Sequence, residues 1–346
     1  MVDAIEIGQN YKIALVGPGQ SGQEIKMGLS LKLRSKAAER VWGIARAVMG
    51  EDFINLVHHG RINGMEATPK DALTELTKTP NTQVAIYADT IARWEALREA
   101  GKIPEEGFVA TGFSLGRLAA CTITGIIDVE DGMSLVKARG EAFYIVKGWL
   151  AALIGVDPEV TNIILRDGEQ KVGSSTIYRS MINTPQQIVV GGEASAREDA
   201  KAWLESYDLE EKSDYVWVAV SGPFHTPTMA PARTSYGKAL RKSKIGEPVR
   251  GILIGNNGRI LKRPEDIIQD LLDQTTVTEN FDAIGRTLYR LGVNTMICLS
   301  AKTAEANMLA QIAKAEGHQG IRTEILNLYS GDENPTFIAY QWKIAS

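Results

Sequence analysis

Ser114 is the residue on which chemistry is most readily placed. It stands in Gly112-Phe-Ser114-Leu-Gly116, the spacing G-x-S-x-G. The apolar run Phe108-Val-Ala-Thr-Gly112 leads into it, and Leu115 to Thr124 reads as a helix leaving it. A tight turn between strand and helix stands the hydroxyl at the helix N-terminus. There the N–H of Leu115 and the helix dipole can stabilise a developing oxyanion. The same residues also fit a helix N-cap serine after a glycine turn, and on this motif alone the two readings weigh the same. A serine hydroxyl is a poor nucleophile until a neighbour takes its proton, so a base is needed. The chain holds four histidines. His225 lies in Val220-Ser-Gly-Pro-Phe-His-Thr-Pro-Thr-Met229, a loop made rigid by prolines on both sides. That setting suits a positioned base and suits equally a loop histidine bonded to backbone. His58 and His59 are adjacent and read as covering a helix end near Gly60; His318 reads as a solvated turn residue. Cys121 and Cys298 are too few for a disulfide framework or a cysteine-rich zinc site, so neither metal nor cofactor is expected.

A second glycine motif competes. Gly17-Pro-Gly19-Gln20-Ser-Gly22 fits G-x-G-x-x-G and follows the strand-like run Lys12-Ile-Ala-Leu-Val16, the context of a dinucleotide loop. The rest of that fingerprint is missing. A second strand ending in Asp or Glu should come about 20 residues later. That stretch is Lys36-Ala-Ala-Glu-Arg-Val, inside a predicted helix. A plain tight turn is the better reading of the motif alone.

The elements that must position these residues alternate. Besides the two strands above, Ile252-Leu-Ile-Gly255 and Thr295-Met-Ile-Cys-Leu299 read as buried strands. Helical spacing runs over Ser35–Met49, Gln83–Leu97, Glu265–Leu272, Phe281–Leu291 and Ala304–Ala315. Between residues 150 and 219 the pattern becomes strand-rich: Asn162–Leu165, Thr176–Ile182, Gln187–Val190 and Tyr215–Val220, with one amphipathic helix over Ala194–Tyr207. This implies a catalytic α/β domain of residues 1–149 and 220–346, interrupted by a small α+β subdomain at 150–219. Composition agrees with a globular chain, at 44% hydrophobic and 23% charged residues. No apolar run reaches the roughly 20 residues a membrane span needs. No secretory signal is visible, and a reducing cytoplasm fits. A net charge of −4 argues against general nucleic-acid binding.

Taken together, the segments resemble the malonyl-CoA:acyl-carrier-protein transacylase family and the related acyltransferase domains of polyketide synthases. Gly17-Pro-Gly-Gln-Ser-Gly-Gln23, Gly112-Phe-Ser-Leu-Gly-Arg-Leu-Ala-Ala120, Arg139-Gly140, Asn183-Thr-Pro-Gln-Gln-Ile-Val-Val190 and Val220–Met229 come in that family's order. The resemblance implies an α/β-hydrolase-like catalytic domain with a parallel sheet and a ferredoxin-like insert. It implies transfer of malonyl from malonyl-CoA to the phosphopantetheine thiol of an acyl carrier protein, by a monomer. Ser114 would be the nucleophile and His225 the general base and acid. The backbone N–H groups of Gln20 and Leu115 would form the oxyanion hole. Arg139 would hold the malonyl carboxylate, with Gln83 and Phe224 on the substrate side. A backbone carbonyl near Asn280 would orient His225. The glycine motif at 17–22 is thereby reassigned to an oxyanion loop.

Four positions depart from the family pattern. Phe113 replaces its histidine before the nucleophile, Arg117 its glutamate after the second glycine, and Gly17 its first phenylalanine; Leu299-Ser-Ala-Lys302 stands for its Val-Gly-Pro-Gly. An acidic carrier protein needs a basic landing surface. Arg233, Lys238, Arg241, Lys242, Lys244 and Arg250, against Glu247 alone, form a candidate patch, though a solvated helix face explains them as well.

Overall fold

The apolar run after Lys12 forms a strand buried along most of its length, and its neighbours in space are the other apolar runs. The computed structural model describes residues 11–20, 22–156, 169–172, 175–205, 214–300, 302, 304–326 and 337–343. Its strands are β1 (Ile13–Gly17), β2 (Arg61–Ile62), β3 (Met65–Glu66), β4 (Phe108–Gly112), β5 (Gly148–Ile154), β6 (Glu169–Val172), β7 (Ser175–Thr184), β8 (Gln187–Glu193), β9 (Asp214–Trp217), β10 (Ile252–Ile254), β11 (Ile260–Leu261), β12 (Glu279–Asn280), β13 (Thr295–Cys298), β14 (Gln319–Leu326) and β15 (Phe337–Lys343).

The larger sheet has the order β11-β10-β4-β1-β13-β15-β14. Its centre, β10-β4-β1-β13, is parallel, and both edges are antiparallel. Side chains alternate across it with the period of two that a strand imposes. Leu15, Ala110, Leu253 and Ile297 join one apolar cluster, while Ala14, Val16, Val109, Ile254 and Met296 join another. Helices cover both faces, which is why the central strands read as continuous apolar runs. The fold is α/β, as expected. The antiparallel hairpin β14–β15 was not anticipated from the sequence.

The early helices are α1 (Leu29–Arg34), α2 (Lys36–Met49), α3 (Glu51–His59), α4 (Pro69–Thr77), α5 (Thr79–Glu99), α6 (Gly116–Ile123) and α7 (Val129–Ile145). Ser35 caps α2, its hydroxyl accepting the Ala38 N–H at 3.0 Å.

The second sheet is antiparallel in the order β7-β8-β5-β9, with β6 beside β7. A helix over Arg197–Glu205 joins β8 to β9. This order fits a ferredoxin-like subdomain. The sheet begins at Gly148, and β9 ends at Trp217, three residues before the expected Val220. The expected strand Asn162–Leu165 lies outside the described residues. One strand of this sheet comes from elsewhere: β12 pairs in parallel with β7.

Where β1 and β4 end, Gly17 and Gly112 lie side by side in register. The first residue of α6, Gly116, crosses directly over them. A Cβ on Gly116 would fall 2.1 Å from the Gly17 carbonyl oxygen, and one on Gly112 would fall 2.1 Å from the Gly116 carbonyl carbon. Both atoms are backbone and cannot swing aside. Gly116→Ala should therefore destabilise the protein by about 2–3 kcal/mol, the cost of overpacking a filled site. The check is a lower denaturant midpoint with an unchanged slope.

Candidate active site

Ser114 occupies the turn between β4 and α6 with φ of 50°, a left-handed conformation unusual for a residue with a side chain. Its Oγ lies 2.8 Å from Nε2 of His225. His225 is itself left-handed, at φ 60°. Its loop is anchored on both sides: the Ser180 hydroxyl donates to the Phe224 carbonyl at 2.7 Å, and the Thr226 hydroxyl to the Pro223 carbonyl at 2.6 Å. Two strained backbones facing each other indicate that the surroundings over-determine the contact.

Nδ1 of His225 meets the carbonyl oxygen of Gln274 at 2.5 Å. A carbonyl can only accept, so Nδ1 carries the proton and Nε2 turns its lone pair to Ser114. Gln274 lies in the last turn of the helix Pro264–Thr276, where backbone carbonyls have no partner further along the helix. This corrects the assignment to Asn280. Asn280 instead caps the helix Phe281–Arg290, its Oδ1 accepting the Ala283 N–H at 2.9 Å, while its own N–H donates to Asn256.

Arg139, on α7, is 1% exposed. Its Nη2 lies 3.3 Å from Ser114 Oγ and 3.4 Å from Gln274 Oε1, and its guanidinium stacks 4.2 Å above the Phe143 ring. No acidic side chain among the described residues pairs with it. Burial draws its pKa down to about 10, so it stays charged at neutral pH. Phe224 packs against Phe143, with ring centroids 5.2 Å apart. Gln83, buried on α5, donates from Nε2 to Gln20 Oε1 at 3.1 Å, which brings the glycine loop to the same cleft. The backbone N–H groups of Gln20 and Leu115 have no hydrogen bond among the described residues. The structure thus gathers Ser114, His225, Arg139, Gln20, Gln83, Leu115 and Phe224 and leaves Asn280 outside.

Behind the serine lies a group of charges that the sequence did not disclose. Arg117 is fully buried, donating to Asp270 at 2.8 Å and pairing with Glu279. Burial pulls its pKa down, but Glu279 and Asp270 more than offset this, so the guanidinium is held charged. The Gln274 amide donates to the Ser114 carbonyl at 2.8 Å. Arg117 was legible as a departure from the motif. Asp270, Gln274 and Glu279 carried no local signal.

The remaining candidates lie elsewhere. His58 is buried against Trp42, burial lowering its pKa to about 4, and His59 is exposed. His318, expected to be solvated, is half-buried against Tyr289. In the basic run Lys238, Arg241, Lys242 and Lys244 are exposed, but Arg233 is neutralised by Asp273 at 2.7 Å. Among the described residues no cluster of three or more His, Cys, Asp or Glu is placed to hold a metal, and no helix is long and apolar enough to cross a membrane.

Comparison with known proteins points one way. The chain is 29% identical over 294 residues to the malonyl CoA-acyl carrier protein transacylase of Bacillus subtilis, covering 83% of this chain and 86% of that protein. The crystal structure of an acyl-carrier-protein S-malonyltransferase from Bartonella henselae matches with a TM-score of 0.76 and 26% identity, over 88% of this chain and 93% of that one. A malonyl-transacylase solved in complex with a type II polyketide synthase acyl carrier protein shares the fold, with a TM-score of 0.76 and 24% identity over 88% and 93% of the two chains. No protein-family model matches. The resemblance read from the motifs therefore holds in sequence and in fold.

Burial, then the positive charge of Arg139, lower the His225 pKa to about 3. A lowered pKa keeps the imidazole neutral, and able to accept a proton, at any pH above that value. The rate of Ser114 modification should therefore stay flat from pH 7 to about pH 4, without a fall near 6.5. In Arg139→Met the acid limb should move upward, because one opposing charge is gone. A pH–rate profile by intact mass checks both.

Proposed function

We propose that this chain is an acyl-carrier-protein S-malonyltransferase that works through an acyl-enzyme on Ser114. The observation that carries the reading is Arg139, a buried cation with no acidic partner among the described residues, 3.3 Å from the Ser114 hydroxyl. A buried charge left unpaired is costly. A substrate that brings a carboxylate within one acyl length of the reacting carbon removes that cost. A malonyl thioester does so, and a planar guanidinium can bind its carboxylate through two parallel hydrogen bonds. Acyl groups lacking the carboxylate leave Arg139 unpaired and are disfavoured.

In the first half-reaction Ser114 Oγ attacks the thioester carbonyl and its proton passes to Nε2 of His225. The oxyanion is taken by the N–H groups of Gln20 and Leu115. As the C–S bond breaks, His225 returns the proton to the departing CoA thiolate. In the second, the phosphopantetheine thiol of an acyl carrier protein gives its proton to His225 and attacks the malonyl ester, and His225 passes that proton to Ser114 Oγ as the ester C–O bond breaks. The Gln274 carbonyl holds the imidazole orientation through both. Exchange between two thioesters is nearly thermoneutral, so one neutral base can serve each direction. The exposed cations Lys238, Arg241, Lys242 and Lys244 suit an acidic carrier; we place its docking there.

Incubation with malonyl-CoA should give a malonyl adduct by intact mass that is absent in Ser114→Ala. Acetyl-CoA should give at least 10-fold less, in keeping with roughly 1–3 kcal/mol for an unpaired buried charge. Arg139→Ala should abolish that preference, and a variant that still selects malonyl would refute the clamp. Reversing Arg241 and Lys242 to Glu should slow transfer to carrier protein several-fold while leaving acylation by malonyl-CoA unchanged. Equal loss in both half-reactions would count against this docking surface.

A further inference from the structure

Among the described residues, the backbone N–H groups beside the two proposed oxyanion donors are already engaged. At the turn, the Phe113 N–H goes to Gly17, the Gly116 N–H to Phe113 and the Arg117 N–H to Ser114. The Ser114 N–H goes to a carboxylate, Glu279 Oε1, at 3.4 Å. In the glycine loop, Pro18 has no N–H, and the Gly19 N–H goes to Glu305 Oε1 at 2.9 Å. Both carboxylates are buried: Glu279 is 0% exposed and Glu305 2%. They arrive from distant parts of the chain, Glu279 on β12 and Glu305 in the first turn of the helix Ala304–Ala315.

We infer that Glu305 and Glu279 are positioning residues for the oxyanion site, each tying down the N–H of the residue just before a donor, Gly19 before Gln20 and Ser114 before Leu115. The identity of the two donors rests on the acyl-transfer reading above. Buried polar groups settle into hydrogen bonds wherever they can. With the N–H groups of Gly19, Ser114 and Gly116 held, those of Gln20 and Leu115 remain for the substrate. Phe113 completes the clamp from below. A Cβ on Gly19 would lie 2.5 Å from the Phe113 ring, so the loop rests on the residue before the nucleophile. Phe113 is itself seated edge-on against Phe281, with centroids 5.1 Å apart. A carboxylate beside an oxyanion site needs compensation. Arg117 supplies it for Glu279, and the positive end of its own helix supplies it for Glu305.

The test uses the full chain and a fluorophosphonate that carries neither acyl group nor pantetheine. Ser114 labelling is followed by intact mass, with melting temperature measured alongside. Glu305→Met keeps the side-chain volume and removes the acceptor. It should lower the maximal labelling rate roughly 10–100-fold while leaving half-saturation within about 3-fold, the pattern of a transition-state interaction. Glu305→Gln keeps an oxygen for the Gly19 N–H and should restore most of the rate. A Met variant as fast as wild type, or a Gln variant as slow as Met, overturns the inference. Should Met prevent folding, Gln alone decides: a rate near wild type supports the tether, and a lost rate at unchanged melting temperature overturns it. Wild type that reacts with the phosphonate but takes no malonyl from CoA fails the proposed function alone.

Discussion

The site depends on one steric fact, the near contact of three glycine backbones. β1 and β4 end together at Gly17 and Gly112, and Gly116 crosses them at a distance that admits no side chain. The chain can therefore turn from strand to helix within a few residues, and Ser114 is forced into a left-handed backbone at the top of the turn. The Phe113 N–H to Gly17 carbonyl bond, at 3.0 Å, joins the elbow to the neighbouring strand. Ser114, the proposed nucleophile, is thus fixed by the parallel sheet itself. Its environment follows from the same crossing, because α6 carries Arg117 into the interior directly beneath it.

That buried arginine shapes what lies behind the serine. It draws Asp270 and Glu279 inward, and these bind backbone and side chains that support the dyad. Asp270 holds the Asn256 N–H at 2.9 Å; Glu279 meets both the Gln274 amide and the Ser114 N–H. Besides Glu279, Gln274 reaches three partners: the Ser114 carbonyl through its amide, Arg139 through its side-chain oxygen, and His225 through its backbone. A polar network of this kind is worth keeping buried only if its members are satisfied. Here the pairing leaves Arg139 as the cation without a carboxylate among the described residues.

Much of this was legible in the sequence, for a physical reason. Ser114 and His225 sit in short loops whose glycines and prolines are dictated locally, so spacing marks them as candidates, and the ordered family motifs then join them. The central strands and most helices were legible because burial on both faces, or on one stripe, writes itself into apolar periodicity. Other parts write nothing. The carbonyl of Gln274 is backbone, and any residue type supplies one, so a count along the chain settled on Asn280 instead. Glu279 and Glu305 are two among 42 acidic residues, and only the fold separates them from solvated ones. The hairpin β14–β15 pairs antiparallel with a parallel core, and strand partners across a sheet edge leave no trace in local pattern.

The pairing of β12 with β7 ties the small sheet to the larger part of the chain. Residues 279–280 belong by sequence to the larger part of the chain, yet they form an edge strand of the smaller sheet. The Thr278 hydroxyl adds a bond to the Arg179 carbonyl at 2.9 Å, and Ser180 on the same strand holds the histidine loop. The small sheet is thus stitched to both sides of the Ser114–His225 contact, through Glu279 on one side and Ser180 on the other. Such ties suit the acyl transfer proposed above, in which one Ser114–His225 geometry would serve two different thiols in turn.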